Sequence, residues 1–155
     1  MVLELSTYPL FVFSQVDILV AMTDCIFCKI INRELPCYKV YEDSEFLAFL
    51  DINPLNLGHS LIIPKKHYQW TWNVPNFGGY WEVALKITKG IMEGLNAERV
   101  QYITIGEKVP HEHIHVVPRY ANDGHSDLPD WSKDKKFSVE EFNNAAKVIT
   151  QNIQK

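Results

Sequence analysis

The sequence predicts an α+β fold, a five-stranded antiparallel sheet with one long helix and a C-terminal helix packed on it. Three observations carry that expectation. Five short segments rich in β-branched and aromatic residues are each bounded by turn residues. Two longer stretches repeat apolar residues at helical spacing. Strands and helices do not alternate as regular βαβ units, which argues against a parallel sheet.

Residues 25–32, CIFCKIIN, are apolar at 26, 27, 30 and 31 and suit one or two helical turns, with Pro36 shortly beyond. Residues 38–41 and 46–50 read as strands separated by the polar turn Glu42-Asp43-Ser44-Glu45. Residues 51–58 carry Asn, Pro and Gly and read as a loop. The run 59–64, HSLIIP, reads as a buried strand. Trp70 and Trp72 alternate, so they are expected on one face of an extended segment, buried in the core or at a subunit contact. After a loop at 73–79, a stripe at 81, 84, 85, 88, 91, 92 and 95 predicts a helix over 80–96. Residues 100–105 and 113–117 are the last two strands. Residues 120–136 are polar and aperiodic, so His125 is expected to be solvated. Ser138 and Glu141 form a capping box ahead of a helix whose face is Phe142, Ala146, Ile149 and Ile153.

Length and composition bound the function. A chain of 155 residues suits one domain. A formal net charge of −4 argues against a broad nucleic-acid surface, so no nucleic-acid partner is expected. Residues 1–21 contain no Lys or Arg, and their apolar runs at 8–13 and 18–21 are too short to span a bilayer. They read as an N-terminal extension upstream of Met22, with 22–155 as the domain, and no membrane partner is expected. Three cysteines, two of them in Cys25-x-x-Cys28, do not make a secreted disulfide framework. They point to metal or redox chemistry and to a cytoplasmic protein.

Three of the six histidines fall within five residues, in Pro110-His-Glu-His-Ile-His-Val-Val-Pro118. On a strand, His111, His113 and His115 share one face, with Glu112, Ile114 and Val116 on the other. Imidazole titrates near neutral pH and serves as nucleophile, general acid or base, or metal ligand. The run alone does not choose among these.

It resembles the signature of the histidine triad family, three histidines alternating with apolar residues. The pieces upstream are similar in order: Cys-Ile-Phe-Cys-Lys-Ile-Ile at 25–31, Phe-Leu-Asp-Ile-Asn-Pro at 49–54, and Gly-His-Ser-Leu-Ile-Ile-Pro-Lys-Lys-His at 58–67. The resemblance spans residues 24–120 and is to the prokaryotic nucleotide hydrolase and transferase branch, which implies a symmetric homodimer with a ten-stranded assembly. It implies that His113 attacks the α-phosphorus of a purine nucleoside conjugate and becomes nucleotidylated. The leaving group would be that of a phosphoramidate or a dinucleoside polyphosphate. His115 would donate to a phosphate oxygen, His111 would orient the row, and His59 would pack behind the nucleophile. Asp51 would bind the ribose, and Ile26, Phe27, Ile30, Phe49 and Ile52 would surround the base. Cys25, Cys28, His67 and His111 would hold a structural zinc, with no catalytic metal required. The rival readings are a non-catalytic nucleotide-binding module and a zinc enzyme that uses the triad as ligands.

Two departures from the family pattern stand out. Glu112 occupies an apolar position and is expected at a solvated edge or beside a cation. The segment 106–110 is shorter than usual. Trp131 is expected to reach a neighbouring subunit, as C-terminal segments of the family do, and Arg119-Tyr120 receives no role.

Overall fold

The computed structural model describes residues 25–153; the reading of 1–21 as an extension lies outside them. Helix α1 (Ile26–Ile31) is followed by strands β1 (Lys39–Glu42), β2 (Phe46–Leu50) and β3 (Ser60–Pro64). A 3₁₀ turn at Thr71–Asn73 leads into α2 (Phe77–Leu95), then β4 (Arg99–Thr104), β5 (Ile114–Arg119) and α3 (Val139–Ile153). The five strands form one sheet in the order β1-β2-β3-β5-β4. Every neighbouring pair is antiparallel.

Alternation along the strands divides the core between the two sheet faces. Ala48, Leu50, Ile62, Ile114 and Val116 pack against Tyr80, Ala84, Ile87 and Ile91 of α2 and Phe142, Ala146 and Ile149 of α3. Leu47, Phe49, Leu61 and Ile63 point the other way and pack with Cys25, Phe27 and Cys28. Both faces are thus covered, which is why β2 and β3 are buried at every position.

The long helix is in place, but its inward stripe differs from the one the sequence predicts. Tyr80, Val83, Ala84, Ile87 and Ile91 are buried, while Leu85 is 51% exposed. The helix carries two apolar stripes, and periodicity alone does not say which one meets the sheet. Tyr80 fixes the choice by donating its hydroxyl to the Ile62 carbonyl at 2.7 Å. The expected capping box forms: the Ser138 N–H donates to Glu141 Oε2 at 2.7 Å, and the Glu141 N–H donates to Ser138 Oγ at 3.2 Å. Trp70 and Trp72 do not lie on an extended segment. Trp70 caps the 3₁₀ turn and Trp72 lies within it, their rings stack 5.3 Å apart, and Trp72 is 76% exposed.

Candidate active site and metal centre

The sheet brings His59, His113 and His115 together where β3 and β5 begin, and of these only His115 lies on a strand. The pairing registers Leu61 with His115 across β3 and β5. His59 enters from the loop after β2. Gly58 turns that loop with φ of +90°, a conformation that favours glycine, and a Cβ there would run into the Leu95 side chain. His59, His111, His113 and His115 are all buried.

Each imidazole has a proton position that follows from its contacts. His113 Nδ1 lies 2.8 Å from the His111 carbonyl oxygen, which can only accept. Nδ1 therefore carries the proton, and Nε2 keeps a free lone pair. His59 Nδ1 accepts from the Leu55 N–H at 3.2 Å, so its proton sits on Nε2 and is donated to His115 Nδ1 at 3.0 Å. His115 is then left with its own proton on Nε2. Burial, reinforced by the neighbouring histidines, pushes His59 and His115 down to about 3. Burial also lowers His113, against the hydrogen bond to His111. All three are neutral at pH 7.

His113 and His115 open onto a cavity of about 910 Å³. Its lining includes all six predicted nucleotide-pocket residues: Ile26, Phe27, Ile30, Phe49, Asp51 and Ile52. Phe27 sits edge-on to Phe49 at 5.8 Å and to His113 at 5.2 Å. Asp51, at the end of β2, places Oδ2 3.9 Å from His59 Nε2 and 4.0 Å from His115 Nδ1. These three residues could be mistaken for a metal cradle. The proton between the two imidazoles makes them a hydrogen-bonded relay instead.

The first histidine of the run departs from the expected row. Strand β5 begins only at Ile114, and the chain before it bends away as the Glu112 N–H donates to the Tyr68 carbonyl at 2.6 Å. His111 donates Nε2–H to the Pro64 carbonyl at 2.9 Å, which turns its Nδ1 toward Cys25 Sγ at 3.4 Å and Cys28 Sγ at 3.6 Å. His67 Nδ1 lies 3.2 Å from Cys28 Sγ. The ligating atoms of Cys25, Cys28, His67 and His111 are all within 4.8 Å of one another, so the group could hold a metal ion. Two sulfurs and two imidazole nitrogens suit tetrahedral zinc. Burial and the charge on Cys25 push the Cys28 thiol up to about 12. Burial opposes ionisation of Cys25 too, but the neighbouring imidazoles of His111 and His67 prevail and draw it down to about 5. A dication would remove the repulsion and hold both as thiolates. Of the triad, His111 alone belongs to this group.

Two expectations, for Glu112 and His125, need correction, and Trp131 and Arg119 gain contacts the sequence did not announce. Glu112 is neither solvated nor beside a cation: it is 2% exposed and accepts from the Thr71 hydroxyl at 2.8 Å. The 3₁₀ turn, invisible to periodicity, supplies that partner, and burial raises the carboxyl above its ordinary range. Trp131 reaches its own chain's site, with its ring 4.8 Å from His115 and 6.0 Å from His59. His125 is half-buried, accepting from the Asp130 N–H at 3.1 Å and donating to the Leu55 carbonyl at 3.3 Å. Arg119 is 1% exposed and ion-paired to Asp123 at 2.7 Å, which anchors the chain beyond β5. Trp131 and Lys108 both line the cavity, and sequence reasoning assigned neither to it. A lone tryptophan in a polar stretch was the available signal.

The sequence of residues 32–122 matches the family model described as the HIT domain. The chain belongs to the histidine triad family. A HIT-like protein of Borreliella burgdorferi is 42% identical over 145 residues, covering 85% of this chain and all of that one. Adenosine 5′-monophosphoramidase HNT1 of Saccharomyces cerevisiae is 34% identical, over 61% of this chain and 62% of the yeast protein. The crystal structure of a zinc-bound histidine triad family protein from Mycobacterium smegmatis superposes with a TM-score of 0.71 at 29% identity, covering 86% of this chain and 95% of that one. This histidine triad chain thus shares its five-stranded fold with a zinc-bound relative. Among its described residues, no helix is long and apolar enough to cross a membrane.

Proposed function

We propose that the chain is a nucleotide hydrolase or transferase that acts at the α-phosphate of a purine nucleoside conjugate through a covalent nucleotidyl-histidine. The observation that carries this reading is the fixed tautomer of His113, with Nδ1–H on a backbone carbonyl and Nε2 unprotonated at the cavity. The purine nucleoside lies in the apolar pocket beside Phe27 and Phe49, with the ribose hydroxyls on Asp51. His113 Nε2 attacks the α-phosphorus and forms an N–P bond. The leaving group departs with the electron pair of its own bond to phosphorus and takes a proton from water. His115 Nε2–H donates to a non-bridging oxygen, where charge develops in the transition state. Water then attacks phosphorus and gives up its proton to the hydroxide left by the first step, the N–P electron pair returns to His113, and the nucleotide is released. The yeast relative named a phosphoramidase supports an amine as leaving group.

Cys25, Cys28, His67 and His111 would hold a zinc ion whose four protein ligands leave no open position, as befits a structural role. It would clamp α1 to the sheet. The chain forms a homodimer through the outward stripe of α2 and the edge strand β4. Trp81, Leu85, Phe77 and Tyr102 lie there, and the buried Trp81 indole N–H has no partner among the described residues.

Turnover of adenosine 5′-phosphoramidate tests the catalytic reading. His113→Ala should lower the rate by about a thousandfold or more. Acid quench of the wild-type reaction with labelled substrate should trap the nucleotide on the protein. Equal rates in the two proteins would leave a binding module without chemistry.

A further inference from the structure

The loop between β2 and β3 is gripped by the chain beyond β5. The Pro54 carbonyl accepts the Lys135 N–H at 2.7 Å. The Asn56 side chain accepts from the Lys135 ammonium at 2.6 Å and donates to Asp123 at 3.0 Å. Between them lies Leu55, 1% exposed, whose carbonyl accepts Nε2–H of His125 at 3.3 Å. The other nitrogen of His125 accepts the Asp130 N–H at 3.1 Å. A carbonyl at one ring nitrogen and an N–H at the other leave His125 a single tautomer that satisfies both.

The second polar group of Leu55 points the opposite way, into the histidine row. Its N–H donates to His59 Nδ1 at 3.2 Å, and His59 Nε2–H donates to His115 Nδ1 at 3.0 Å. His125 thus holds Leu55 by the carbonyl, and Leu55 holds His59 by the N–H. The proton count makes this matter for His115. With its Nδ1 accepting from His59, neutral His115 carries its proton on Nε2, where the proposed reaction needs a donor. The reversed arrangement is also neutral and keeps one N–H···N bond between the rings. It would place a proton on His59 Nδ1 and strip His115 Nε2 of its own. The Leu55 N–H, facing His59 Nδ1, forbids it.

Resting on the catalytic reading above, we infer that His125 is a positioning residue that acts through Leu55. It keeps His59, and through it His115, in the tautomer that leaves a proton on His115 Nε2.

Two substitutions divide the imidazole between its two contacts. His125→Asn keeps an acceptor for the Asp130 N–H and falls short of Leu55. His125→Gln extends an amide N–H to the Leu55 carbonyl and gives up the Asp130 contact. Both should keep the fold, since His125 is half-buried in a surface segment. Two readouts are compared: turnover of adenosine 5′-phosphoramidate, and nitrogen NMR of isotope-labelled histidine rings in the substrate-free protein. His125→Asn should lower kcat about tenfold with KM changed less than about twofold. It should also draw the His115 Nδ1 and Nε2 resonances toward each other, as the two tautomers mix. His125→Gln should restore most of both. A residue that only braced its own segment would reverse that order, with His125→Gln the worse variant. That reversal, or wild-type His115 resonances in His125→Asn, would overturn the assignment of His125. The ring spectra need no turnover, so a wild-type protein inactive on the phosphoramidate would instead overturn the catalytic reading.

Discussion

At the scale of single residues, the chemistry depends on backbone contacts that decide where protons sit. The Leu55 N–H and the His111 carbonyl fix the tautomers of His59 and His113. The same burial that keeps these rings neutral has a pH signature. His59 and His115 lie near 3 in the folded chain against an ordinary value of 6.5, so between those values the unfolded chain binds more protons. Stability should therefore be full above about pH 6.5 and fall as pH drops toward 3. Urea titrations between pH 7 and 4 measure it, and replacing His59 by Asn should flatten the slope. That His113 and His115 face the same way was legible, because alternation along an extended segment is a local property, and both line the cavity. The partner of Glu112 was not, since Thr71 lies 41 positions away on a turn that no pattern announces.

At the scale of elements, α1 is the exposed part of the design. Six residues with no side-chain N-cap do not hold a helix alone. Phe27, packed on Phe49 and His111, and the Cys25 and Cys28 thiols hold it to the sheet. Cys28→Ser, or removal of metal by a chelator, should lower Tm by about 5–10 °C. On the proposed reading it should raise KM for the nucleotide several-fold more than it lowers kcat, because α1 lines the cavity with Ile26, Phe27 and Ile30 and carries no histidine of the row. An unchanged Tm with zinc absent from the purified protein would remove the metal from the account. The elements themselves were readable to within a few residues: 46–50 is the strand expected, and the Ser138–Glu141 box opens the last helix. The phase of α2 was not readable, because Tyr80 and Trp81 are both aromatic and only the sheet tells them apart.

At the scale of the whole molecule, the misread stripe of α2 becomes informative. Trp81, Leu85 and Tyr102 form an outward apolar surface beside an edge strand, which a second copy would cover. Sedimentation at micromolar concentration should give about twice the 18.0 kDa chain mass, and Leu85→Glu should return it to the monomer. A wild-type monomer would end the dimer proposal. The pocket was legible as a residue set but not as a volume, because Trp131 enters it from a stretch with no periodicity. The strand order also bears on how the chain is made. β5 inserts between β3 and β4 and is the last strand to be synthesised, some fifty positions after β3. A nascent chain halted before Ile114 displays β3, apolar on both faces, with one hydrogen-bonding edge open. That intermediate is sticky, so slow translation through 65–113 should demand chaperone protection during biosynthesis.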